Sequence, residues 1–183
     1  MKSFEEIWAV TDAIPGSFTH LSGEMLYKAA TTLQFSEDFP ENFVEVGVDQ
    51  GRSASILLFA ARARFAKVTL IDSWESILID NYVKVELLAA KIGGNVDIWC
   101  KSSAEAAAEF KEPIDLIHID ANHYAPNPDN DCALWLPKVR SGGIACFHDY
   151  DSTFVAVKPA VDKHTEGWED LGVFDGLAIR RKP

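Results

Sequence analysis

The sequence predicts a three-layer α/β fold, with five parallel strands and their helices followed by a C-terminal antiparallel hairpin. Three observations predict it. From Asn42 onward, short β-branched runs alternate with helical-period segments, the order that builds a parallel sheet with right-handed crossovers. The first strand runs into Gly47 and Gly51, a glycine-punctuated turn into a helix. The chain closes on two runs, "WEDLGVF" and "LAIRRK", joined by Asp175-Gly176, and Asp-Gly is a strong signal for a hairpin.

The elements follow in order. Residues 1–40 read as helical and irregular, broken by "IPGSFTH" at Ile14 to His20. "LSGEMLYKAATTLQF" from Leu21 carries apolar residues at helical spacing, with Ser22 placed to cap it. This segment is expected to act as a lid or a dimerisation element on a core spanning 42–183, within one domain of 1–183. "NFVEVGV" (Asn42 to Val48) is the first strand and "GRSASILLFAARARF" the helix after it. "KVTLIDSW" (Lys67 to Trp74) is the second strand, and "ILIDNYVKVELLAAKIG" is a helix closed by Gly93-Gly94. "VDIWCKS" is the third strand, and "SAEAAAEFK" a helix with a Ser103 cap. "IDLIHIDA" (Ile114 to Ala121) is the fourth strand, and "NDCALWLPKV" a helix that Pro137 ends or kinks. "GGIACFHDY" (Gly142 to Tyr150) is the fifth strand, followed by the helix "FVAVKPAVDKH", interrupted by Pro159.

Composition narrows the class. A chain of 183 residues suits one domain, and 48% hydrophobic with 25% charged residues is ordinary globular usage. A net charge of −11 repels phosphate backbones, and no Lys/Arg cluster offsets it, so nucleic acid is not an expected partner. No stretch approaches the roughly 20 apolar residues a membrane helix needs, so no membrane partner is expected either. Cys100, Cys132 and Cys146 form no C-x-x-C pattern, and Cys100 and Cys146 read as small core hydrophobes. Their odd number, and an N-terminus whose acids interrupt any signal-like apolar run, point to a reducing cytoplasm.

The first chemical motif is "FVEVGVDQGRSAS". It reads E-x-G-x-x-x-G-x-S, not the G-x-G-x-x-G of dinucleotide sites, and so weakens a nicotinamide-dependent oxidoreductase reading. Glu45 at the strand end and Asp49 in the loop suit a positively charged ligand better than a diphosphate. Asp72 ends the second strand about 20 residues past the glycine turn, where a carboxylate can accept from both ribose hydroxyls or cap a helix. Trp74 reads as packing or as cover for an adenine face. Ser102 and Ser103 end the third strand in position to meet a base edge, with an N-cap role for Ser103 equally open.

The second motif lies at the tips of strands four and five. "IHIDANHY" puts Asp120 at one tip and His123 three residues later, and "FHDY" puts His148 and Asp149 at the neighbouring tip. Converging carboxylates repel unless a cation or proton intervenes, and hard oxygen ligands suit Mg²⁺. Such an ion would lower the pKa of an acceptor hydroxyl, with His123 placed to take its proton. His148 as a further ligand would shift preference toward Mn²⁺, Fe²⁺ or Zn²⁺. Successive strand residues point to opposite faces, so His148 and Asp149 both reach the ion only if the strand ends there. His118, mid-strand, reads as a hydrogen-bonded core residue.

Taken together, "VEVGVDQGRSA", "LIDSW", "IDLIHIDANHY", "LWLPKVRSGGIACFHDY" and the closing hairpin resemble the class I S-adenosylmethionine-dependent methyltransferases. The likeness is to the small O-methyltransferases of the catechol and macrolide-sugar types and runs from about Asn42 to the C-terminus. It implies a Rossmann-like sheet of seven strands in the order 3-2-1-4-5-7-6. It implies that Glu45, Gly47, Gly51 and Ser53 line the methionine end of the cofactor, that Asp72 holds the ribose, and that Ser102 lies near the adenine. Asp120 then belongs to the cofactor, catalytic and metal sets, with His123 as base and Asp120, His148 and Asp149 as metal ligands. His148-Asp149 departs from the acidic or Asp-Asn pair of the relatives, which keeps a non-catalytic, cofactor-binding domain among the alternatives. The expected partners are S-adenosylmethionine, Mg²⁺ or another divalent ion, a small-molecule acceptor, and a second copy of the chain as a homo-oligomer.

Overall fold

The structure, a computed structural model, describes residues 2–33, 41–74, 79–151 and 153–183. Two helices precede the sheet, α1 (Phe4–Thr11) and α2 (His20–Thr31). The core then alternates: β1 (Asn42–Val46), α3 (Arg52–Arg64), β2 (Lys67–Asp72), α4 (Ile79–Ile92), β3 (Asn95–Cys100) and α5 (Ser103–Glu109). It continues through β4 (Ile114–Ile119), α6 (Asn127–Trp135), β5 (Val139–Phe147), α7 (Val157–His164), β6 (Glu169–Phe174) and β7 (Leu177–Arg181). The sheet order is β3-β2-β1-β4-β5-β7-β6, with β7 antiparallel to β5 and β6 and the other pairs parallel. This is the seven-stranded Rossmann-like arrangement expected from the sequence.

Central strands are buried on both faces, so alternate residues feed two separate cores. Phe43, Leu70, Leu116, Ile144 and Cys146 pack against the layer of α1 to α4. Val44, Val46, Ile71, Ile117, Ile119 and Phe147 pack against the layer that includes Trp135, Val157 and Val161 of α6 and α7. The hairpin turn places Asp175 at φ +47° and Gly176 at φ +83°, the double positive φ of a type I′ turn. Ser22 Oγ donates to the carbonyls of Phe174 and Asp175 at 3.1 and 3.2 Å, tying α2 to that hairpin. Arg52 ties down the α1–α2 connection, donating to the carbonyls of Ile14 and Phe18 and pairing with Asp12 at 2.8 Å.

Several local expectations are corrected. Thr19, not Ser22, caps α2, because Ser22 already lies in the first turn and its hydroxyl is committed to the hairpin. Ser102, not Ser103, caps α5, in a reciprocal capping box with Glu105. Parallel strands end two or three residues early at β1, β2, β4 and β5, because positive φ at Gly47, Trp74 and Asp149 turns three of those chains out of the sheet. β5 starts before Gly142-Gly143; those glycines sit where the pairing jumps from Ile114–Val139 to Leu116–Ile144. A Cβ on Gly143 would meet Val139 Cγ1 at 2.8 Å, so the irregularity needs glycine. α6 starts at Asn127, and Pro137 sits in a separate 3₁₀ turn (Leu136–Lys138). Pro159 lies in the first turn of α7, where no intrahelical N–H is needed, and so does not interrupt it. Cys100 is exposed at the end of the edge strand rather than in the core. Cys132 and Cys146 are buried, and burial pushes the Cys132 thiol up to about 12. The proposed ends of two helices, at 34–35 and 77–78, lie outside the described residues. Among the described residues no helix is long and apolar enough to cross a membrane.

Candidate active site

The carboxyl tips of β1, β2, β3 and β4 open onto one cleft of about 420 Å³, within the size range of small-molecule sites. Gly47, Asp49, Asp72, Ser102 and Asp120 line it, together with a face of α6. Gly47 turns the chain at φ +89° between β2 and β4, and its N–H donates to Ile71 O of β2 at 2.9 Å. Asp72 accepts from the amides of Val48 (2.9 Å) and Asp49 (2.8 Å) on Oδ2 and from Trp74 N (3.0 Å) on Oδ1. The acid thus fixes the glycine turn while keeping acceptor capacity on the oxygen that carries one bond. Trp74 is a packing residue: it is buried, stacks edge-on to Tyr82, and donates its Nε1–H to Asp49 O at 2.8 Å.

Glu45 and Ser53 stand apart from this cleft. Glu45 is fully buried on the α3 side of β1, where its Oε1 accepts from Ser53 Oγ at 2.5 Å and meets His118 Nδ1 at 2.9 Å. Its Oε2 and His118 Nε2 have no hydrogen-bond partner among the described residues. Burial raises the Glu45 carboxyl above its ordinary range, against the hydrogen bonds from His118 and Ser53. The folded chain therefore holds this proton more tightly than the unfolded chain. The site's contribution to stability falls as pH rises from the ordinary carboxylate range toward the raised value. Glu45→Gln should accordingly melt higher than the native protein at pH 8 and no higher at pH 4. Scanning calorimetry at the two pH values checks this, and an equal difference at both would contradict it. Gly51, at φ +89°, caps the start of α3 against Leu88 and Val85 rather than facing the cleft.

The second group sits where β4 and β5 end. Ligand atoms of Asp120, His123 and Asp149 all lie within 4.8 Å of one another. His123 Nε2 is 3.1 Å from Asp120 Oδ1 and 3.0 Å from Asp149 Oδ2. His148 Nδ1 lies 3.3 Å from those same two oxygens yet is aligned with neither for a hydrogen bond. β5 ends at Phe147 and Asp149 adopts φ +56°, so the backbone turns and both His148 and Asp149 face the group. Burial alone would raise the Asp120 carboxyl; the hydrogen bond from His123 and the His148 ring outweigh it and hold it well below the usual carboxylate range. Burial likewise pulls His148 down, and Asp120 and Asp149 more than reverse that, leaving it raised. Phe18 covers His118 and His148, with ring centroids 5.4 and 5.2 Å away. Phe154 stacks on His123 with ring centroids 4.5 Å apart.

A family model described as a methyltransferase domain matches residues 44–150, from β1 through both tip motifs. The chain belongs to the methyltransferase domain family. It is a class I S-adenosylmethionine-dependent methyltransferase, and this assignment replaces the nicotinamide alternative. No curated protein matches the sequence. Solved structures match over most of both chains. A protein from Corynebacterium glutamicum is 15% identical with a TM-score of 0.73, covering 98% of this chain and 88% of that one. The S-adenosylhomocysteine-bound methyltransferase PaMTH1 of Podospora anserina is 17% identical with a TM-score of 0.69, covering 98% and 87%. The O-methyltransferase TomG of Streptomyces achromogenes, involved in tomaymycin synthesis and solved with its methyl donor, is 16% identical with a TM-score of 0.66, covering 87% and 78%. At these identities the likeness establishes the shared fold.

In this methyltransferase the cleft brings together Gly47, Asp72, Ser102 and Asp120 of the expected cofactor residues and leaves Glu45, Gly51 and Ser53 behind it. The acid of the first turn that reaches the cleft is Asp49. Sequence reasoning missed Phe18, Phe154 and Asp131. The first two come from loops with no motif. Asp131 had a signal: Asn127, Asn130, Asp131 and Leu134 share one helical face, and all four line the cleft.

Proposed function

We propose that this methyltransferase transfers its methyl group to a hydroxyl oxygen of a small molecule or sugar, assisted by a divalent ion held by Asp120, His123 and Asp149. The convergence of these three side chains at the rim of the donor cleft carries the reading. Ligands about 2.1 Å from one ion lie roughly 3.0 Å apart when they sit at right angles. The contacts of 3.0 and 3.1 Å match that spacing before any ion is added. His148 Nδ1 lies 3.3 Å from the same two oxygens but is not one of the three mutually close ligand atoms. An imidazole beside two carboxylates shifts the preference from Mg²⁺ toward Mn²⁺, Fe²⁺ or Zn²⁺.

When bound, the donor would supply an electrophilic methyl group and the ion would acidify the acceptor hydroxyl enough for its proton to pass to solvent. The chain's own residues orient and hold. Asp72 and the Gly47 turn set the floor of the donor cleft, and Asp120 borders both that floor and the ion site. We assign His123 to the ion rather than to proton removal, because its Nε2 already converges on both carboxylate oxygens. Phe154, stacked on His123, fixes the ring and forms an apolar wall beside the acceptor.

The test is transfer of labelled methyl groups from S-adenosylmethionine to a panel of phenols, sugars and nucleotide sugars. Activity that chelator removes and Mn²⁺ restores better than Mg²⁺ supports the reading. Transfer to oxygen that is indifferent to chelator removes the ion from it. Tight S-adenosylhomocysteine binding without turnover on any acceptor supports the non-catalytic alternative instead.

A further inference from the structure

The β3 end of the cleft holds a buried acid with one uncommitted oxygen. The serine expected to meet the base there is occupied. Ser102 Oγ donates to Glu105 Oε2 at 2.6 Å and accepts from Glu105 N at 3.3 Å in the α5 capping box. The Ser103 Oγ proton is committed as well. It accepts from Trp135 Nε1 at 2.9 Å. An indole nitrogen only donates, so the Ser103 proton goes to Asp131 Oδ1, 2.5 Å away. Trp135 is itself fully buried, so this chain of bonds has a fixed anchor. Asp131 is 5% exposed and lines the cleft, and its Oδ2 has no hydrogen-bond partner among the described residues. Oδ2 is also not among the fully enclosed unbonded atoms, so it reaches the open space of a cavity.

We propose that Asp131 Oδ2 accepts a hydrogen bond from the exocyclic amine of the donor's purine, making Asp131 the residue that selects a 6-amino over a 6-oxo base. This rests on the adenosyl donor occupying the cleft. An ionised carboxylate only accepts. It pairs with an adenine amine and opposes the oxygen of a hypoxanthine. The Ser103 hydroxyl pins Oδ1, so the side chain cannot turn a donor toward the base. The amide of Asp131→Asn behaves oppositely. Ser103 still needs an acceptor, so the amide oxygen faces it and the NH₂ faces the base, which now suits a 6-oxo group.

Calorimetric titration of S-adenosylhomocysteine and S-inosylhomocysteine into the full chain tests this without turnover. The native protein should prefer the adenosyl ligand by at least about tenfold, the lower end of what losing one hydrogen bond to a charged group costs a ligand. Asp131→Asn should reverse the order. Ser103→Ala keeps the acid and frees its rotation, so it should weaken the adenosyl ligand without reversal. No adenosyl binding by the native protein overturns the occupancy on which the inference rests. Adenosyl binding with a native ratio near one, or with a preference that Asp131→Asn leaves unchanged, overturns the assignment of Asp131 alone.

Discussion

Asp120→Asn should lower methyl transfer by about 10³-fold while leaving the fold intact. Asparagine keeps the shape of the side chain and one acceptor oxygen. What it removes is the charge that the neighbouring groups are arranged around. Asp120 Oδ1 is 3.1 Å from His123 and 3.3 Å from His148, and the carboxyl is held well below its ordinary range by those partners. Without it the proposed ion site has one carboxylate left, Asp149. Polarisation of a bound oxygen by a metal ion contributes several kcal/mol to the barrier, and about 4 kcal/mol corresponds to that loss of rate. The measurements are kcat/KM on the best acceptor, Mn²⁺ affinity, and S-adenosylhomocysteine affinity in the same variant. Rate and Mn²⁺ affinity should fall together, with a smaller effect on S-adenosylhomocysteine. A variant that keeps Mn²⁺-dependent turnover would show that the three-residue group is not where the ion acts.

Gly47→Ala should be the most damaging single methyl group in the protein, destabilising it by roughly 3–5 kcal/mol. Its φ of +89° is one that L side chains rarely adopt. A Cβ there would sit 2.2 Å from the carbonyl oxygen of Asp120 and 2.7 Å from Ala121 Cα. Both are backbone atoms, so no side chain can swing aside. Relief requires separating β1 from β4, where Asp120 N donates to Val46 O at 2.8 Å. Gly51→Ala is the control. It shares φ +89°, but the nearest obstacle is Leu88 Cδ2 at 3.0 Å, the end of a flexible side chain. Its cost should be about 1–2 kcal/mol. Urea denaturation of both variants separates the two cases. Equal losses would mean that the φ, and not the contact with strand four, decides both positions.

The strand tips explain how much of the site was legible. Asp72, Asp120 and Asp149 could be placed because a parallel sheet puts every strand's carboxyl end on one side, and the resemblance to the methyltransferases implied which tips adjoin. The alternation along β1 was also legible, yet it was read only as a strand. Taken residue by residue, it puts Glu45 on the same face as Phe43, opposite Val46, which lines the cleft. The early strand ends were not legible, because Asp and Trp at positive φ carry no sequence signal comparable to glycine. Ser102 and Ser103 look alike in the chain, and only the position of Trp135 decides which hydroxyl serves the cleft wall.

The sequence by itself determined the alternation of elements, the hairpin at Asp175-Gly176 and the tips that carry chemistry, since these follow from local periodicity and from backbone preferences of single residues. Tertiary structure alone decided three things. It set Glu45 with His118 behind the sheet, brought His123 onto the carboxylates of Asp120 and Asp149, and turned Asp131 into the cleft. Each of these depends on distances between segments far apart in the chain. Such distances are fixed by how the sheet twists and how two helix layers pack on it, and no local pattern encodes them.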